Sequence, residues 1–96
     1  MIRHKRIKIG KKHIDALSFN LSGKNLIVLR GGKGFIMCGY LNLRAAERFK
    51  DAAVKITGVA TIEDALCSSV HSCTSVARKM GVHKGQSVKD ALRIIA

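Results

Sequence analysis

The chain has 96 residues, 47% of them apolar, and a formal charge of +12 from 18 Lys+Arg against 6 Asp+Glu. That length gives one domain with one modest core, and that apolar fraction excludes a disordered chain. No apolar run approaches the ~18 residues that span a bilayer, so no membrane segment is expected, and with no Trp and one Tyr the core must be aliphatic.

Arg6-Ile7-Lys8-Ile9 alternates, so it reads as a half-buried strand with Ile7 and Ile9 inward and Arg6 and Lys8 outward. After the turn Gly10-Lys11-Lys12, alternation resumes from His13 to Leu21. Leu17, Phe19 and Leu21 share one face there, and Ala16, Ser18 and Asn20 share the other. Ser22-Gly23-Lys24-Asn25 has the residues of a hairpin turn. Leu26 to Leu29 is apolar on both faces, as in a central strand. A Gly-Gly-Lys-Gly turn leads into the strand Phe35 to Gly39. Four sequential strands with short connections predict an antiparallel meander.

Asn42 is placed to cap a helix of about three turns through Ala53, with Ala46, Phe49 and Ala53 at helical spacing. Ala52 to Gly58 then returns to a strand with Val54 and Ile56 on one face. Strand, helix and strand fit a right-handed crossover. Thr61-Ile62-Glu63-Asp64 resembles a capping box opening a short helix to Cys67 or Ser68. Val70, Cys73, Ala77 and Met80 then predict one face of a longer helix, closed by Gly81. Ser87 caps a last helix with Val88, Ala91, Leu92 and Ile95 as its apolar stripe. The expected fold is therefore α+β. It is a single compact domain over residues 1–96, an antiparallel meander extended by a β-α-β crossover into a five-stranded mixed sheet. The C-terminal helices lie on one face. The opposite face is left partly apolar, which favours a homo-oligomer.

Four groups could carry chemistry. Cys38 ends a strand just before a helix, where a helix dipole favours a thiolate nucleophile; it also reads as a small buried core residue. Gly31, Gly32, Lys33 and Gly34 could form an anion-binding nest of backbone N–H groups, or a tight hairpin needing positive φ. They match neither a Walker motif nor a dinucleotide fingerprint. Cys67, His71 and Cys73 lack the paired-cysteine spacing of a zinc site, so no metal is expected. No cofactor is expected either.

The fourth group is basic. Residues 1–33 hold nine basic side chains and one acid, Asp15. Arg3, Arg6, Lys8, Lys11 and Lys12 could bind phosphates of nucleic acid or another polyanion. The Phe residues sit on core-like faces, which argues against a stacking platform like that of an RRM. Three cysteines, an odd count, and a charged start with no apolar segment behind it suggest reduced thiols in the cytoplasm.

Gly34-Phe35-Ile36-Met37-Cys38-Gly39 resembles the Gly-aromatic-Ile-Met-Cys-Gly signature of the YunC-like family of small bacterial and archaeal proteins. Gly58-Val59 with Thr61-Ile62-Glu63 and Leu66 is similar to a second family segment. Gly81-Val82, Gly85, Ser87 and Ala91-Leu92 are similar to a third. The resemblance covers residues 26–96 well and the N-terminal strands in outline. It implies a compact α+β fold and no established activity, substrate or cofactor, and it gives Cys38 no role. The Gly31-Gly32-Lys33 loop and the basic N-terminus depart from the family pattern. The resulting expectation is a small binding or regulatory module of unknown ligand. Two alternatives stand beside it: a nucleic-acid-associated protein using the basic N-terminal face, and a cysteine-dependent enzyme built on Cys38.

Overall fold

The computed structural model describes residues 2–96. Six strands lie side by side in sequence order. They are β1 (Ile2–Ile9), β2 (Lys12–Leu21), β3 (Lys24–Arg30), β4 (Phe35–Met37), β5 (Ala53–Lys55) and β6 (Ser72–Cys73). All neighbours are antiparallel except β4 and β5. The helices are α1 (Leu43–Arg48), α2 (Ile62–Leu66), α3 (Ser75–Met80) and α4 (Val88–Ile95). The meander, the crossover and the α+β class stand as the sequence predicts.

The sixth strand corrects the expected long helix over residues 70–80. Ser72–Cys73 pairs with β5, and Thr74 then caps the shorter α3. Alternation over two residues leaves no sequence signal, and backbone pairing with Val54 and Lys55 decides the matter. Helix α1 is also shorter than three turns, ending at Arg48, and Phe49 behind it is 73% exposed instead of packed.

The expected caps form. Asn42 Oδ1 accepts from Ala45 N–H at 3.0 Å, Thr61 Oγ1 from Asp64 N–H at 3.0 Å, and Ser87 Oγ from Asp90 N–H at 3.2 Å. Asp64 reaches back to accept from Ala60 N–H at 3.1 Å. Gly81 ends α3 at φ +112°, a conformation that costs other residues energy.

Register sorts the side chains. Ile14, Ala16 and Ser18 of β2 share a face with Ile27 and Leu29 of β3, Ile36 of β4, Val54 of β5 and Cys73 of β6. These residues are buried, and all but Ser18 belong to one cluster with Ile62 and Ala65 of α2, Ala77 of α3 and the apolar stripe of α4. This inner face therefore carries α2, α3 and α4. On the other face Ala53 is fully buried next to Phe35, and α1 is in contact with β5, so α1 covers only that edge.

Among the described residues, the remainder of the outer face, over β1 to β4, has no second layer. Leu17, Phe19, Leu26, Val28 and Met37 lie there half-buried. This corrects the placement of the Phe residues on core-like faces: Phe19 and Phe35 are on the outer face. The sequence misleads because the bulkier alternate set of β2 faces outward. Small Ala16 and Ser18 face inward, where the helices need room to approach the sheet.

Candidate functional site

A cleft of about 570 Å³ opens beyond the carboxyl ends of β4 and β5, the parallel pair. Open sheets with crossovers place ligands in this position, because the loops there diverge from neighbouring strands. Cys38, Gly39 and Tyr40 after β4, Gly58, Val59 and Ala60 after β5, and the hairpin Gly23-Lys24-Asn25 line it. Asn25 ties the walls together: its Nδ2 donates to the Ala60 carbonyl at 2.7 Å, and its Oδ1 accepts from Asn20 Nδ2 at 3.1 Å. Gly58 takes φ +72°, so its turn favours glycine. The cleft offers one cation (Lys24), one half-exposed aromatic ring (Tyr40), one amide and a run of backbone. No carboxylate or imidazole is among its lining residues.

Cys38 is in the wall of this cleft but is only 5% exposed. Its side chain lies on the inner face with Ile36, away from α1, so the α1 dipole is not aimed at it. Ile27 N–H donates to its Sγ at 3.4 Å, and the thiol faces the Asn25 carbonyl at 3.9 Å. These are the surroundings of a packing thiol. In native protein one thiol, the exposed Cys67, should react promptly with a disulfide reagent. Cys38 and Cys73 should react only after denaturant is added. Burial pushes the Cys73 thiol pKa up, which further slows it. Prompt release of two equivalents, with Cys38 labelled in the peptide map, would restore the nucleophile reading.

The Gly31 to Gly34 loop is held by protein partners. Gly31 N–H donates to the Gly34 carbonyl and Lys33 N–H to the Ile95 carbonyl, both at 2.8 Å. None of these glycines has positive φ, which corrects the tight-turn explanation. Glycine is needed here for close approach. A Cβ at Gly31 would run into the Ile95 carbonyl, and one at Gly34 into Ala52. The loop is a seat for the C-terminus and for the start of β5.

The basic residues divide between faces. Arg6 and Lys8 project from the outer face of the edge strand β1, as expected. Arg3 instead pairs with Glu63 of α2 at 3.5 Å, and Lys12 Nζ donates to the Ala96 carbonyl at 3.4 Å. Lys11 sits in the hairpin turn. Cys67, His71 and Cys73 fall on three different segments, and no group of metal-ligating side chains converges among the described residues. Sequence reasoning missed the hairpin Gly23-Lys24-Asn25 and Tyr40 as parts of one site. The signal was partial: Gly39 and Gly58-Val59 fall in two of the segments that resemble the YunC-like family.

A meander with one crossover, helices on its inner face and a cleft at its parallel strand ends define a small α+β protein of the YunC type. The family model described as a domain of unknown function (DUF1805) matches residues 37–95, and the chain belongs to that family. It is 28% identical to the uncharacterized protein YunC of Bacillus subtilis, with 96% of this chain and 95% of that protein covered. It is also similar to the crystal structure of TA1206, a protein of unknown function from Thermoplasma acidophilum. There the TM-score is 0.96 at 30% identity, covering 100% of this chain and 94% of that one. No activity is established for any of these relatives.

Proposed function

We propose that the chain is a small-ligand-binding module of the cytoplasm, with its site in the cleft beyond β4 and β5. The observation that carries this reading is the convergence of Cys38-Gly39 and Gly58-Val59 on one cleft of about 570 Å³. A concave site of that size suits a small molecule. Lys24 selects an anionic group, the Tyr40 ring offers a flat apolar surface, and the Asn25 amide and glycine backbone supply hydrogen bonds. The lining residues include no carboxylate and no imidazole, the commonest proton-transfer groups, which favours binding over reaction. Three free thiols favour a reducing compartment.

The test is thermal unfolding against a panel of small carboxylates and phosphate monoesters. At least one should raise the melting temperature of the wild-type chain. Lys24→Met should abolish that rise. So should Gly39→Leu, because a Cβ at Gly39 meets nothing within 4 Å and the added side chain has open space beside the cleft. A panel without any shift, or shifts that survive both substitutions, would defeat the reading.

A further inference from the structure

We propose that the open outer face of β1 to β4 binds single-stranded nucleic acid. Register arranges this face in rows across the strands. One row holds Arg6, Asp15 and Arg30. The next, two residues along and about 7 Å away, runs from His4 through Leu17, Val28 and Met37 to Lys55 and Ser72. A third holds Phe19 beside Leu26. Lys8 extends the basic side beyond the first row. A basic edge bordering apolar rows and an aromatic ring is the pattern a single strand requires. Phosphates follow the cations, and bases lie flat on Phe19 and its neighbours.

Charge decides between this occupant and a second copy of the chain. Among the described residues Asp15 is the one acid on this face, and it is already engaged by Arg30 at 3.0 Å and His4 at 3.2 Å. Those two partners hold its carboxyl below its usual range, Arg30 most strongly. A second copy seated on this face would bury Arg6, Lys8 and Lys55 in a seam with no unengaged carboxylate from either copy to answer them. A duplex fits less well than a single strand, because its bases are stacked on one another and cannot reach a flat apolar surface.

The experiment is fluorescence anisotropy of the full chain with labelled single-stranded RNA, single-stranded DNA and the matching duplex. Oligonucleotides of about 12 nucleotides suffice, at roughly 50 and 200 mM salt. The expected result is binding of at least one single strand about tenfold tighter than the duplex, since each base stacked on an aromatic contributes ~1–3 kcal/mol. Phe19→Leu should weaken it about fivefold to tenfold with the salt slope unchanged. Arg6→Gln with Lys8→Gln should lower the slope by about 1.4. Lys79→Gln with Lys84→Gln, exposed on α3 and the loop after it and outside the strand rows of this face, should change neither. The paired Arg6 and Lys8 variant keeps the proposal testable if Phe19→Leu unfolds. Four results would overturn it: no binding at the lower salt, equal affinity for duplex, equal effects of the two charge pairs, or a stable dimer that Phe19→Lys splits.

Discussion

Gly34→Ala is expected to remove about 3 kcal/mol of unfolding free energy, near the upper end of what overpacking costs. Gly39→Ala, five residues on in the same motif, should stay within about 0.5 kcal/mol of wild type. The difference lies in what a methyl group meets. At Gly34 the new Cβ would fall on the Ala52 carbonyl oxygen and within 2.9 Å of the Ala52 Cβ. Ala52 cannot retreat. Its carbonyl accepts from Phe35 N–H at 3.0 Å, and it leads directly into β5, which pairs with β4. The methyl would therefore push apart the parallel pair that frames the cleft. At Gly39 nothing lies within 4 Å, and its φ is not in the left-handed region. Urea unfolding of both variants would decide the matter, with the midpoint shifting at constant m-value for Gly34→Ala alone. Equal stabilities would mean that the Gly34 loop has room the structure does not show.

Thr74→Val should also cost about 3 kcal/mol, although it nearly conserves volume. Thr74 is fully buried between α1, β5 and α3, and its hydroxyl is fully used. Oγ1 donates to the Asp51 carbonyl at 2.6 Å. It accepts from Ala53 N–H at 3.1 Å and from Ala77 N–H at 3.4 Å. Valine would leave the buried Ala53 N–H without its partner, a loss of about 1–3 kcal/mol. It would also remove the cap of α3, worth about 1 kcal/mol. Thr74→Ser keeps the hydroxyl and should cost only about 1 kcal/mol, the transfer term of one buried methyl. If valine and serine proved equally destabilising in the same urea titration, packing rather than hydrogen bonding would hold this junction.

Those two residues also show how far the sequence could be read. Gly34 was visible as a loop glycine, but the reason for it was not. A turn that needs positive φ and a backbone that needs close approach look alike in one chain. Thr74 fell inside the expected long helix over residues 70–80, so its role as the cap of α3 was not legible. Its complete burial depends on α1 and β5 arriving from more than twenty residues away. Cys38 looked like a nucleophile because a helix follows it in sequence. In space α1 crosses to the outer face while the thiol stays on the inner one.

Local rules settled much of this protein. Period-two alternation and short turns made the meander, since neighbouring strands pair with little loop to close. Ser, Thr and Asn before apolar stripes set the helix starts, and Gly81 set a helix end, because caps are satisfied within a few residues. The resemblance around residues 34–39 pointed to the family. Tertiary structure alone decided which face of β2 is inside, because Ile14, Ala16 and Ser18 are chosen by the fit of helices against the sheet and not by hydrophobicity. It alone added β6, joined the hairpin Gly23-Lys24-Asn25 to Gly58-Val59 around one cleft, and set Phe19 beside the basic edge. Each of these depends on pairings between distant segments, and a linear pattern carries no record of which residues pairing and packing bring together.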